Sequence, residues 1–305
     1  MTLKRVLFAD SALLGITFVW GTTFIIVQNI LNQLSPLTFN AWRFLFAALF
    51  LALWQLFTSK KRKTTINLYS WKLIGSGALL GIFLFAGYVC QTIGLLYTSA
   101  SNAAFITGLS VVLVPIFSAI LLRSVPHKAA VIGVLFAAVG LFFLTTKGQF
   151  SLNKGDVIVL VSAVTFALHI IFTAKVTEQY NSLSLTIVQL AFVALFAFIT
   201  GYVFEGGKAF NLHILLQGDV IIVVLFMSLF ATALAFLFQT SLQKETPATH
   251  VGIIYIMEPV FAAWTSVLIQ DAHFGPSELT GSLLILLGMF LAEWPVGRRT
   301  MEKQH

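Results

Sequence analysis

The chain has 305 residues, 58% of them hydrophobic and only 10% charged, with 30 phenylalanines and a mean hydropathy of +0.95. A soluble domain needs roughly a quarter of its residues charged to present a polar surface to water, so a soluble fold, a disordered chain and collagen are all excluded. The formal charge of +7 does not call for a nucleic acid, because the basic residues cluster in short segments between apolar runs, as at Lys60-Lys61-Arg62-Lys63, where topology signals lie.

A helix needs about 20 apolar residues to cross a bilayer, and inside lipid it must satisfy its own backbone groups. Ten stretches qualify: Ala12–Leu31, Leu37–Phe57, Leu73–Leu95, Ala103–Leu122, Ala129–Thr146, Asp156–Lys175, Leu183–Phe204, Asp219–Gln239, Thr249–Ile269 and Glu278–Trp294. The first follows Lys4-Arg5 but is too long for a signal-peptide core and is read as a retained helix. With ten spans the termini share a side. Fourteen basic residues fall on that side and three (Lys147, Lys154, Lys208) on the other, so both termini are expected in the cytoplasm. The remaining basic residue, Arg43, lies inside a span. The single cysteine, Cys90, has no partner for an internal disulfide.

The chain also repeats itself. Gly133 and Gly140, within Ile132-Gly133-Val134-Leu135 in helix 5, correspond to Gly281 and Gly288 in helix 10, within Thr280-Gly281-Ser282-Leu283. Gly108, Pro115, Phe117 and Ala119 of helix 4 correspond to Gly252, Pro259, Phe261 and Ala263 of helix 9, and Pro36-Leu37 and Arg43 to Ser182-Leu183 and Gln189. Two units follow, 1–150 with helices 1–5 and 151–305 with helices 6–10. Five spans per unit means that the second enters the membrane from the opposite side. The expected fold is therefore an all-α integral membrane protein of ten transmembrane helices in two inverted five-helix repeats, an architecture common among secondary transporters.

Ionisable groups inside a membrane are costly unless they line a cavity or find partners. At about 1.5 Å per residue, Arg43 lies roughly 10 Å from the outer end of helix 2 and Glu258 roughly 14 Å from the inner end of helix 9. Arg43 reads as an anchor for a carboxylate, as the partner of Glu258 in a structural ion pair, or as a side chain snorkelling to the outer interface. Glu258 reads as a proton acceptor or an amine-binding group. His169, mid-helix 6, is either a proton relay or a histidine satisfied by a local partner; His250 reads as interfacial. Trp20 and Gly21, with Thr22, sit near the middle of helix 1, Trp20 as a cavity wall or packing residue and Gly21 as a point of close approach. Asn40 precedes Arg43 on the same face. Gln91, Asn102 and Gln189 are placed near the outer ends of helices 3, 4 and 7, lining an external vestibule or bonding neighbouring helices. Pro115 and Pro259, with Gly108 and Gly252, mark helices 4 and 9 as cavity walls or gates whose freed carbonyls are Val111 and Tyr255. The Tyr255 hydroxyl is expected on the surface that carries Glu258.

Trp20-Gly21-Thr22-Thr23-Phe24, Pro36 with Arg43, Tyr97-Thr98-Ser99-Ala100-Ser101-Asn102-Ala103-Ala104 and Glu258-Pro259-Val260-Phe261-Ala262, in this order over two tandem units, resemble the drug/metabolite transporter superfamily, specifically its ten-helix EamA-type permeases. The resemblance implies a permease of the cytoplasmic membrane with a central cavity, a small-molecule substrate such as an amino acid, another metabolite or a toxic compound, and no cofactor. A coupling proton is the favoured driving ion on Glu258 and His169, since no Gly-x-x-x-x-Gly-Lys-Ser/Thr loop is present to bind a nucleotide. A non-transporting scaffold and an intramembrane enzyme are the alternatives. The enzyme lacks a His-Glu-x-x-His motif, paired intramembrane aspartates, or a serine beside a base, and a channel lacks a filter-like loop.

Overall fold

The computed structural model describes residues 3–62, 70–121, 128–146, 153–207, 212–242, 254–270 and 273–292. Its longer helices are α1 (Leu3–Ile30), α2 (Pro36–Arg62), α3 (Trp71–Gly94), α4 (Ala100–Leu121), α5 (Lys128–Thr146), α6 (Lys154–Thr177), α7 (Ser182–Glu205), α8 (Gly218–Leu242), α9 (Met257–Gln270) and α10 (Pro276–Ala292), with one extra helical turn at Leu212–Leu215. Among the described residues, seven of them, α1–α4 and α6–α8, are long and apolar enough to cross a membrane. The shorter α5 and α10 carry the apolar stretches Val131–Leu144 and Pro276–Leu291, and α9 has 14 residues. Large apolar side chains such as Phe57, Ile222 and Phe204 stand on the outside of the bundle, as a lipid solvent demands and water would penalise.

The helix ends follow from their sequences. Asn153 accepts from the Gly155 N–H at the start of α6, and Asn181 accepts from the Leu183 and Ser184 N–H groups at the start of α7, both N-caps. The start of α2 is capped from elsewhere in the chain. Pro36 occupies the first helical position, where it has no N–H to lose. The Leu37 and Thr38 N–H groups donate at 2.8 and 2.9 Å to Glu205, the last residue of α7, which also accepts from the Ser35 and Thr38 hydroxyls at 2.6 and 2.8 Å. A carboxylate at that end also opposes the helix dipole.

Two elements depart from the sequence expectation. The ninth span is not one continuous helix: Ile254 and Tyr255 are helical, Ile256 is a turn, and α9 begins at Met257. Pro259 cannot donate back into the preceding turn, and its ring crowds the carbonyl four residues earlier. It therefore sits in the first turn of a new helix instead of kinking an old one, and a depth for Glu258 counted from Thr249 does not hold. Gly252 and His250 lie outside the described residues. Pro115, by contrast, lies within a continuous α4. The second departure is a π-helical segment, Leu229–Leu234, that interrupts α8.

The helices pack as α5 on α10, α2 on α7, α3 on α6 and α7, α4 on α6, α1 on α9, and α8 on α2. The α5–α10 seam is antiparallel and brings backbone to backbone. A Cβ on Gly140 would lie 2.6 Å from the Gly281 carbonyl oxygen, one on Gly281 2.6 Å from the Gly140 oxygen, and one on Gly288 2.5 Å from the Gly133 oxygen. The glycines matched by the repeat therefore meet each other.

Candidate functional site

The bundle encloses a cavity of about 80 Å³. The α1 wall presents Trp20, Thr23 and Phe24 to it, α3 presents Leu84, Tyr88 and Gln91, and α4 presents Thr107 and Ser110. Phe166, His169 and Ile170 of α6 and Phe236 and Gln239 of α8 face them, with Arg43, Tyr255 and Glu258 completing the lining. Tyr255, before the break at Ile256, and Glu258, after it, face the same space, as expected for residues three apart.

Arg43 is buried, at 2% exposure, and does not snorkel. Its Nε donates to the Thr232 hydroxyl at 2.6 Å and its Nη2 to the Ala231 carbonyl at 3.4 Å. Its guanidinium carbon lies 4.8 Å from the Tyr88 ring centroid, 5.4 Å from that of Phe44 and 5.9 Å from that of Phe39, a cation–π setting on three rings. The ion pair with Glu258, one of the three readings of Arg43, is not formed: the interactions of the guanidinium run to α8 and Tyr88, and Glu258 has no electrostatic partner in Arg43.

The Ala231 carbonyl also accepts from Trp20 Nε1 at 2.9 Å. Two side-chain donors from α1 and α2 thus converge on one carbonyl of α8, and the Thr232 hydroxyl reaches five residues back to the Met227 carbonyl at 2.8 Å. Groups inserted into the ladder in this way account for the π segment, a feature often found at functional sites. The Trp20 ring lies 5.7 Å from those of both Phe236 and Tyr255. Gly21 does act as a point of close approach, since a Cβ there would lie 2.6 Å from the Glu258 carbonyl oxygen.

Other candidates are placed differently. His169 lines the cavity with its Nε2 at 3.0 Å from Gln189 Oε1 and 3.4 Å from the Thr173 hydroxyl, so it is a histidine with local partners. Gln189 is buried behind it and is not part of the lining. A Cβ on Gly77, early in α3, would meet Val188 and Gln189, which puts Gln189 at the opposite end of α3 from Gln91; the two do not share a vestibule. Gln91 lines the cavity and donates to the Thr107 hydroxyl at 3.2 Å. Asn102 lines a second pocket of about 470 Å³ with Thr98, Asp156 and Glu278, adjoining the first at Leu95. Asn40 is fully buried and donates to the Pro36 carbonyl and the Thr92 hydroxyl, an interhelical bond rather than a cavity contact. Thr22 bonds the Val19 carbonyl, and its neighbour Thr23 faces the cavity instead. Gly108 packs against Met289 and Pro259. Among the described residues no group of three His, Cys, Asp or Glu side chains could hold a metal ion.

Tyr88, Phe166, Phe236 and Gln239 are lining residues that the sequence reading missed. A signal for them exists. Trp20 and Phe166, Thr23 and His169, and Phe24 and Ile170 are each 146 residues apart, and Tyr88 and Phe236, and Gln91 and Gln239, 148 apart, the spacings of the internal repeat.

An all-helical bundle with an apolar exterior and a polar-studded internal cavity defines a multi-pass membrane transporter. The chain belongs to the EamA-like transporter family, whose model matches residues 7–146 and again 153–294. It is 34% identical to an uncharacterized transporter of Archaeoglobus fulgidus over 93% of this chain and 85% of that one. It is 27% identical to the uncharacterized transporter YyaM of Bacillus subtilis over 92% of each, and 24% identical to a WAT1-related chloroplastic protein of Arabidopsis thaliana over 92% of this chain and 68% of the other. A crystal structure at 15% identity superposes with a TM-score of 0.66, covering 93% of this chain and 96% of its own, and shares the fold.

Proposed function

We propose that this chain is a secondary active exporter of small metabolites that works by alternating access across the cytoplasmic membrane, with ten spans in two inverted five-helix repeats and both termini in the cytoplasm. The observation that carries the reading is the central cavity with a carboxylate, Glu258, for which no donor is found among the described residues. Packing supports the inverted repeat. Exchanging α1–α5 for α6–α10 turns α1 on α9 into α6 on α4, α8 on α2 into α3 on α7, and leaves α5 on α10 and α2 on α7 unchanged, a reciprocity expected of a two-fold relation that the contacts of α4 with α5 and α10 do not share among the described residues. Within the α5–α10 seam, Gly140 meets Gly281 and Gly133 meets Gly288, so exchanging the halves turns each contact into the other.

In this cycle substrate enters from the cytoplasm between the halves, α4 and α9 re-pack against α6 and α1, and the outer side opens. Glu258 alternately holds a proton and substrate, coupling efflux to the proton gradient. The test is purified protein in proteoliposomes with a pH gradient, and a screen comparing metabolites exported by cells with and without the protein. Glu258→Gln is expected to abolish gradient-driven flux while the protein stays folded. Undiminished pH-dependent flux in that variant removes Glu258 from the coupling role.

A further inference from the structure

We propose that the substrate class of this cavity is a primary organic ammonium ion with an apolar, ring-sized body, its head held by Glu258, Gln239 and Tyr255; this rests on the reading of the cavity as the transport site. The argument begins with hydrogen-bond supply. Two lining side chains are more than nine-tenths buried and carry a polar atom with no partner: Gln239, 4% exposed, with its Oε1 orphaned, and Tyr255, 6% exposed, with its hydroxyl orphaned. The Glu258 carboxylate, partly buried and within electrostatic reach of Tyr255, is a third group with no donor among the described residues. A carboxamide oxygen and a carboxylate only accept, and a phenol oxygen does both. Among the described residues no donor reaches these groups, and orphaned buried acceptors are costly until a ligand supplies them. A primary ammonium brings three N–H donors and a positive charge.

Charge leads to the same class. The repeat-related lining pairs are uncharged apart from the titratable His169, so Arg43 and Glu258 set the potential. Arg43 already has hydroxyl and carbonyl acceptors and three ring faces. Part of its hydrogen-bonding capacity is met by neutral groups without substrate, whereas the Glu258 carboxylate has no donor among the described residues. The adjoining pocket carries two more carboxylates, Asp156, which accepts from the Thr98 hydroxyl, and Glu278, which accepts from the Gly275 N–H, and Lys154 lies over the Tyr97 ring nearby. The rings of Trp20, Phe24, Phe166 and Phe236 then accept the apolar body, where a planar group stacks and a nearby cation gains from the ring quadrupole.

The experiment is equilibrium binding of radiolabelled phenethylamine to the purified full chain in detergent, with competitors that keep a phenyl ring on a short alkyl chain and change the head, phenethyltrimethylammonium, phenethyl alcohol and phenylacetate, or add a carboxylate beside the ammonium, the zwitterion phenylalanine. Phenethylamine is expected to bind best. Each lost charge-assisted hydrogen bond is worth about tenfold in affinity, so the alcohol and the acid should compete at least about tenfold more weakly. The trimethylammonium compound, charged but without N–H donors, should fall between. Glu258→Gln is expected to lower phenethylamine affinity about tenfold or more and Gln239→Leu severalfold; Glu258→Asp serves where Glu258→Gln does not fold, and the wild-type competitor series needs no variant. Equal or better binding of phenylacetate, phenethyl alcohol or phenylalanine overturns the ammonium class, as does the absence of phenethylamine binding. If a non-cationic member wins and Tyr255→Ala abolishes its binding, the cavity stands as the site and only the substrate class falls. If phenethylamine binds with the expected ranking but no metabolite or probe moves in proteoliposomes, the transport reading fails and the ligand class stands.

Discussion

Replacing Gly140 with alanine places a methyl carbon 2.6 Å from the Gly281 carbonyl oxygen and 2.7 Å from the Ile285 nitrogen. Ordinary contact begins near 3.4 Å, so α5 and α10 must separate by about 0.8 Å along that line, and the obstructing atoms are backbone that no rotamer change can move. Overpacking of this kind costs about 1–3 kcal/mol. The alanine also gains helix propensity, worth about 0.5–1 kcal/mol, which hides part of the clash. Gly75→Ala isolates it, because a Cβ at Gly75 meets nothing within 4 Å and receives the propensity gain alone. Thermal unfolding of the purified variants should therefore place Gly140→Ala roughly 2–12 °C below Gly75→Ala. Gly281→Ala should match Gly140→Ala, since the contact is reciprocal, and the double variant should lose less than the sum because the first methyl has already opened the seam. Equal melting temperatures for Gly140→Ala and Gly75→Ala would refute the close seam and, with it, the packing support for the inverted repeat.

Glu205→Ala removes the acceptor for two backbone N–H groups and two hydroxyls at the start of α2 and should cost about 2–3 kcal/mol in thermal or denaturant unfolding, with Glu205→Gln losing less; an unchanged melting point contradicts the cap. Arg43→Lys keeps the charge but not the fork that reaches Thr232 and Ala231, and a stability loss of about 1–3 kcal/mol is expected; full stability in this variant would mean that the guanidinium does not seat the π segment. Trp20→Phe deletes the donor to Ala231 while keeping a ring against Tyr255, so it should cost about 1 kcal/mol, well short of the roughly 3–5 kcal/mol of Trp20→Ala. Gly21→Ala drives a methyl against the Glu258 backbone and should weaken ligand binding in the cavity together with stability, whereas Gly15→Ala, with nothing within 4 Å, should do neither.

What the sequence revealed and what it concealed have separate physical causes. The helices were legible because lipid imposes a length of about 20 apolar residues on each crossing, and the observed bounds of α2, α3, α6 and α7 fall close to the expected ones. The α5–α10 glycines were legible because backbone contact admits no Cβ and the same requirement recurs on both partners. The π segment of α8 was not, since Leu229-Phe230-Ala231-Thr232-Ala233-Leu234 reads as an ordinary apolar helix. Its cause lies more than 180 residues away, in Trp20 and Arg43. Glu205 was passed over for a similar reason: only the meeting of the end of α7 with the start of α2 makes it a cap. Pro259 announced an interruption but not its form, because the same missing N–H is compatible with a kink inside a helix or with the start of a new one.

The cavity joins a repeated scaffold to charges that are not repeated. Ten lining residues form five pairs at the repeat spacing, so in the inverted-repeat reading the two halves can exchange conformations while presenting similar walls to either side. The charges depart from the pattern: Arg43 corresponds to Gln189, and Glu258, beside Pro259, to Val114, beside Pro115. Two states built on identical halves would have equal energy, and a substrate that touched only the paired residues would shift nothing between them. A bias toward one state, and a response to substrate or proton, must then come from the residues that differ. Arg43 pins α2 to the interrupted turn of α8, and Glu258 opens the first turn of α9, the two places where the helices themselves break regularity. The polar chemistry and the mechanical weak points coincide there, so a ligand neutralising Glu258 acts on α9 at the break that separates it from Tyr255.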